Sequence, residues 1–264
     1  MTARESIGKA TEILARAATD RVACEPVSDI IGPHDIDAAY EVQQALIMGR
    51  VRAGSRIVGR KIGLTSPAVQ AQIGVDRPDF GVLLDDMAFT DGDEIPIDRL
   101  LQPKAEAEVA FVMSADIEDV ASPAGVRAAV DCAYAALEIV DSRIADWRIG
   151  ITDTVADNAS SGVFILGTTP LSLDRFEPVD ATMRLLRGDE EVSRGDGTAC
   201  LGDPLNALEW LASTAIDYGS PLRAGDIVLS GALGPMVPVR PGDVFTATID
   251  PLGTVTARFS GRRK

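Results

Sequence analysis

The run Lys104-Ala105-Glu106-Ala107-Glu108-Val109-Ala110-Phe111-Val112-Met113 alternates in character residue by residue. Such alternation marks a β-strand, where successive side chains point to opposite faces. Ala105, Ala107, Val109, Phe111 and Met113 make an apolar face; Lys104, Glu106, Glu108, Ala110 and Val112 make the other. A half-buried strand with a solvated side is the ordinary reading of this pattern. A solvated face stays polar, however, and this one turns apolar at Ala110 and Val112. If Glu106 and Glu108 are partly buried, charges ~5 Å apart repel by about 3 kcal/mol at an effective dielectric of ~20. A proton or a divalent cation relieves that repulsion, so the pair is a candidate ion site.

Outward from this strand, the composition narrows the chemistry. The 264 residues fit one large domain, or a helical N-terminal segment (1–54) followed by a β-rich catalytic unit (55–264). A formal charge of −15 repels nucleic acid and anionic membrane, so neither is expected as a partner. Cys24, Cys132 and Cys200 are scattered, without zinc or redox spacing, as in a reduced cytoplasmic protein. No run has the apolar core of a signal peptide or the length to span a bilayer. His34 is the single histidine. Its isolation excludes His-rich zinc sites and HExxH chemistry, and no serine sits in GxSxG. Any metal here is held mainly by oxygen, which favours Mg²⁺, Mn²⁺ or Ca²⁺.

Apolar spacing predicts a helix over 5–18 and a second after Asp35, an N-cap, ending near Gly54. Residues 55–64 read as a strand with Arg60 and Lys61 on opposite faces: either an exposed edge or a cation aimed into a pocket. A short helix is expected over 65–73, and turn chemistry over 76–81, with Asp79 a turn residue. Ser122-Pro123 opens a predicted helix with Val126, Ala129, Val130, Ala133 and Leu137 in register. Glu138 ends it, an acid between apolar runs that needs a partner and is the natural third ligand. Residues 151–161 read as a polar loop, either plain or one that closes over a ligand. Beyond 170 the chain reads as hairpins around one helix starting at Asp203-Pro204, and the amides of Ala232-Leu233-Gly234-Pro235 could face an anion. The whole reads as α+β with a mostly antiparallel or mixed core.

Several of these runs carry a resemblance. Gly59-Arg60-Lys61-Ile62-Gly63-Leu64-Thr65-Ser66, Val75-Asp76-Arg77-Pro78-Asp79-Phe80-Gly81, Gln102-Pro103-Lys104-Ala105-Glu106-Ala107-Glu108, Ala136-Leu137-Glu138-Ile139-Val140-Asp141-Ser142-Arg143, Asn158-Ala159-Ser160-Ser161-Gly162 and Ser230-Gly231-Ala232-Leu233-Gly234-Pro235 resemble, in order, the motifs of the 2-oxopent-4-enoate (2-hydroxypenta-2,4-dienoate) hydratases of the fumarylacetoacetate hydrolase fold superfamily. The resemblance implies a mixed β-roll core with flanking helices and a Mg²⁺ or Mn²⁺ held by Glu106, Glu108 and Glu138. It implicates Lys61, Asp79 and Ser161 in catalysis and gives Lys104 no special role. A lysine near a cation tends towards a lowered pKa. The resemblance also implies a small 2-oxo or 2-hydroxy-dienoate substrate from meta-cleavage of aromatic compounds and a higher homo-oligomer. A complex with a downstream aldolase or with the sister decarboxylase is a further expectation. That decarboxylase, acting on 2-oxo-3-hexenedioate, is the nearest alternative activity. A C–C bond hydrolase using His34, and a non-catalytic partner of the decarboxylase, stand further off.

Overall fold

The structure is a computed structural model; it describes residues 2–66, 70, 75, 77–119 and 122–261. Helix α1 (Ala3–Asp20) starts with a capping box: the Thr2 hydroxyl accepts from Glu5 N, and the Glu5 carboxylate accepts from Thr2 N. It buries Ala10, Leu14 and Ala17, a stripe at helical spacing. A single turn, α2 (Ser28–Ile31), precedes α3 (Ile36–Arg52). Asp35 caps α3 by accepting from Ala38 N at 3.0 Å, as expected, and His34 is exposed beside it.

The sheet elements follow in order: β1 (Ile57–Gly63), β2 (Asp79–Leu84), β3 (Ala88–Phe89), β4 (Glu94–Ile95) and β5 (Lys104–Met113). A short helix α4 (Pro123–Ala128) leads to β6 (Val130–Val140); α5 (Ile151–Ala156) and a 3-10 turn lead to β7 (Ser161–Leu166). Then come β8 (Thr182–Arg187), β9 (Glu190–Asp196), α6 (Pro204–Asp217), β10 (Ile227–Ala232), β11 (Val237–Pro238), β12 (Val244–Asp250) and β13 (Gly253–Phe259). An eight-stranded mixed sheet runs β2-β1-β10-β5-β6-β7-β3, with β11 also pairing β5. A five-stranded sheet runs β4-β13-β12-β8-β9. The α+β class read from the sequence holds.

The two faces of β5 part as its alternation requires. Ala105, Ala107, Val109, Phe111 and Met113 enter the main core with Phe245, Ala247 and Val255 of the second sheet and with Ala10 and Leu14 of α1. Ala110, on the carboxylate face, enters a smaller cluster with Ala136, Phe164 and Leu229. The large sheet is strongly curled: Lys61 on β1 reaches Glu138 on β6, three strands away, at 3.3 Å. Asn158 ties the two flanks together. Its side-chain amide mimics a peptide, accepting from Val82 N at 2.8 Å and donating to Val82 O at 2.9 Å, while its own chain continues into β7.

Four expectations need correction. The helix read over 122–137 stops at Ala128, and Val130–Val140 is a strand. Its alanines suit a helix, but hydrogen bonding to β5 on one side and β7 on the other outweighs that propensity. Asp79 is no turn residue; it opens β2, which is buried on both faces and so shows no alternation. Residues 151–161 hold a helix and a 3-10 turn rather than an open loop. Strand β1 lies between β2 and β10, so it is no edge, and both Arg60 and Lys61 are buried. The helix expected over 65–73 falls mostly outside the described residues.

Asn158→Ala leaves two buried backbone groups of β2 without partners, at roughly 1–3 kcal/mol each. Thermal or urea unfolding is expected to show a loss of about 3 kcal/mol.

Candidate metal centre and active site

Strand register alone gathers the three acids. Glu106 and Glu108 are two apart on β5 and share a face. Glu138 on β6 is the cross-strand partner of Glu106, a placement that brings Cβ atoms to about 5 Å. One carboxylate oxygen from each lies within 4.8 Å of the others. Glu108 and Glu138 are fully buried, whereas Glu106 retains partial exposure and marks the mouth.

The cluster's hydrogen-bonding capacity is largely unspent. Glu108 accepts from Gly231 N at 2.7 Å through one oxygen, and its other oxygen has no partner among the described residues. Among the described residues, neither oxygen of Glu138 accepts a hydrogen bond beyond its ion pair with Lys61. Buried acids left so are costly as anions. Burial first, then Glu138, pushes the Glu106 carboxyl up to about 7. Burial first, then Glu138 and Glu106, also push the Glu108 carboxyl well above its ordinary range. Burial also raises Glu138, although Lys61 opposes it. An all-oxygen donor set with free lone pairs, mutually repelling and dry, fits a hard divalent cation.

Lys61 and Asp79 stand beside the cluster. Lys61 is 2% exposed. Burial favours its neutral form, but Glu138, Asp79, Glu106 and Glu108 outweigh burial and raise its pKa. The lowered lysine pKa expected from the sequence is therefore not what the protein groups alone produce. Asp79 accepts from the Thr154 hydroxyl at 2.8 Å through Oδ2, and Oδ1 has no partner among the described residues. Burial raises its pKa, against Lys61 and Thr154. Gly63 leaves room for this carboxylate, since a Cβ there would lie 2.2 Å from Asp79 Oδ1 and displace it. Gly231 is required across the pocket, with φ +105° and a Cβ position 2.4 Å from Thr65 Oγ1.

Ser161 is buried and donates to Asn158 O at 2.7 Å. It follows three consecutive left-handed residues, Asn158, Ala159 and Ser160. Non-glycine residues hold that conformation only when their surroundings impose it. Arg143 is the imposing group: it donates to Asp157 Oδ1 at 2.5 Å, Ser161 O at 2.6 Å and Asp141 O at 2.5 Å, and also to Asp157 O. The sequence reading missed Thr154, the Arg143–Asp157 clamp and the Gly231 amide. Thr154 and Asp157 lie in the polar run read as a loop; a polar run with buried partners differs from an open one only in three dimensions.

The structure places Glu106, Glu108, Glu138, Lys61 and Asp79 in one cluster; Ser161 sits on the turn that enters β7, bonded to Asn158 O. A curled α+β sheet with a buried acidic triad flanked by lysine defines a metal-centred enzyme scaffold. The fumarylacetoacetate (FAA) hydrolase C-terminal family model matches residues 56–260, and the chain belongs to that family. It is 52% identical over 256 residues to the TodF product hydratase of Pseudomonas putida F1, covering 97% of this chain and 96% of that one. It is 50% identical over 252 residues to 2-keto-4-pentenoate hydratase 1 of Dechloromonas aromatica, covering 95% and 96%. Its fold matches 4-oxalocrotonate decarboxylase from Pseudomonas putida G7, solved with magnesium and adipate, at TM-score 0.93, 33% identity and 98% coverage of both chains. Among the described residues no helix is long and apolar enough to cross a membrane.

The raised carboxyl of Glu106 sets a sign for stability. The folded state binds a proton between the unfolded value of 4.5 and about 7 that the unfolded chain does not. Stability of the metal-free protein therefore falls as pH rises through that window, and Asp157, pushed up to about 6 by burial, adds in the same direction. Calorimetric melting is expected to give a higher Tm at pH 5 than at pH 8 without metal. Saturating Mg²⁺ should raise Tm more at pH 8 than at pH 5, because the ion competes with those protons.

Proposed function

We propose that this chain is a divalent-metal-dependent hydro-lyase that adds water to 2-hydroxypenta-2,4-dienoate, the dienol of 2-oxopent-4-enoate, giving a 4-hydroxy-2-oxo acid. The observation that carries the site assignment is the unspent triad: buried carboxylate oxygens without partners, facing Lys61 and the free oxygen of Asp79. The activity rests on the hydratase relatives at 50–52% identity along nearly the whole chain.

Glu106, Glu108 and Glu138 would hold the ion, with Mg²⁺ or Mn²⁺ the metals that suit such donors. When bound, the cation supplies Lewis-acid charge against the negative charge that develops on the substrate's C2 oxygen. The remaining work falls to the chain's own side chains. Lys61, held as an ammonium by its acidic neighbours, donates towards that oxygen and can carry a proton between oxygen and carbon. The dienol ketonises with protonation at C5, water adds at C4, and C3 is then protonated. Asp79 Oδ1, with Oδ2 fixed by Thr154, is the base for the water, and its burial strengthens it as a base once ionised. The Ser161 hydroxyl spends its proton on Asn158 O and keeps its lone pairs to accept from the substrate's 2-hydroxyl. His34, exposed at the start of α3, has no part in this scheme.

Mg²⁺ should make the purified protein discharge the dienoate's ultraviolet band, and a chelator should stop it. Lys61→Ala should lower kcat by at least about 10² while changing Mg²⁺ affinity far less; wild-type turnover in that variant removes Lys61 from the mechanism. Release of CO₂ from 2-oxo-3-hexenedioate, with no hydration of the dienoate, would favour the decarboxylase reading instead.

A further inference from the structure

Lys104 is the one charged residue on the carboxylate face of β5 that this scheme leaves idle. It sits two residues outward from Glu106 and pairs across the sheet with Val140. Its ammonium lies 3.9 Å from the centroid of the Trp147 ring. Among the described residues no carboxylate lies within ion-pair distance of it and no side-chain hydrogen bond involves it. The ring is itself held in place: Trp147 Nε1 donates to Gln102 O at 3.1 Å, and Asp146 and Trp147 both take left-handed backbone conformations. A half-buried ammonium steadied on an aromatic face, with Glu106 the acid that acts on it but no ion pair among the described residues, is unusual in a chain of charge −15.

Two further features give it a use. The register orders the charged groups by depth: Lys61 is level with Leu229 and, through it, Ala110; Glu108 comes next, then the Glu106–Glu138 pair, then Lys104 nearest the mouth. Lys61 starts furthest in and its ammonium reaches Glu138 at 3.3 Å, while Asp79, opposite Gly63, lies nearer the level of Glu108; a carboxylate held at the Lys104 end of this row leaves the substrate's carbons facing both groups. The charge balance requires help at that outer end. Glu106, Glu108, Glu138 and Asp79 crowd four carboxyl groups about this site, with Lys61 the one cation among them in the described residues. A carboxylate entering such a site meets net repulsion unless another cation is at hand.

We propose that Lys104, braced by Trp147, receives the substrate's carboxylate at the mouth of the metal centre, engaging the oxygen that faces away from the metal. The pair is a substrate-binding element rather than part of the proton relay. This assignment rests on the 2-oxo-acid reading of the site, and the test separates the two.

Lys104→Gln and Lys104→Arg are compared with wild type, all loaded with Mg²⁺. Loss of one charge-assisted hydrogen bond predicts that Lys104→Gln raises KM for the dienoate by about tenfold or more, with kcat nearly unchanged, and that arginine restores most of it. The Mg²⁺ Kd, measured by calorimetry, should be the same in all three. A readout independent of turnover is binding of oxalate, a planar mimic of the 2-oxo-carboxylate. Its Mg²⁺-dependent affinity should weaken by about tenfold in Lys104→Gln. In a Trp210→Phe background, where Trp147 is the sole indole, oxalate should shift the emission of the Lys104 protein and not of the Gln variant. If wild type binds oxalate but does not hydrate the dienoate, the hydratase reading fails while weakened oxalate binding in Lys104→Gln still upholds Lys104. Unchanged oxalate affinity and KM in Lys104→Gln overturn the assignment whatever the activity. Loss of Mg²⁺ affinity without rescue by arginine also overturns it, in favour of a structural role.

Discussion

Like charge held in a dry place is the constraint on which the rest of this molecule depends. Glu106, Glu108 and Glu138 share one face of a curled sheet and lie within reach of a single ion. Burying three carboxylates without partners is unfavourable for each. The fold meets that cost with one lysine and one backbone amide, and leaves most of the oxygens free. A site so incompletely neutralised makes sense as the resting half of a metal complex.

The scaffold serves this site in layers. Register between β5 and β6 sets the triad, and curling of the sheet brings Lys61 across three strands. Asn158 fastens the flanks, and Arg143 holds the left-handed turn that presents Ser161. Each layer is made of hydrogen bonds to backbone groups, which fix position more tightly than apolar packing alone. The rigid part of the site thus surrounds a small reactive part: Lys61, the free oxygen of Asp79 and the unspent acids.

How much of this was legible in the sequence varied with burial. Strand β5 could be read because its two faces meet different surroundings, so alternation survives in the residue types. Strand β6 could not, because its alanines and leucine satisfy both the helical and the extended period; only pairing on both edges decides between them. Glu138 was nonetheless singled out, since an acid between apolar runs is anomalous in either structure. Asp79 was hidden by turn-forming neighbours and by a strand buried on both faces. The Arg143 clamp and the Lys104–Trp147 stack join residues far apart in sequence or of unremarkable type, and no local pattern announces them. The resemblance to hydratases supplied the roles of Lys61, Asp79 and Ser161; the residues alone supplied only the acids and an awkwardly placed cation.

The most direct test of the central claim is a crystal structure of the protein soaked in Mn²⁺, read by anomalous scattering. The account predicts one strong peak bounded by Glu106, Glu108 and Glu138, about 2.1–2.2 Å from an oxygen of each. A peak elsewhere, or none at saturating metal with the three side chains turned apart, would contradict it.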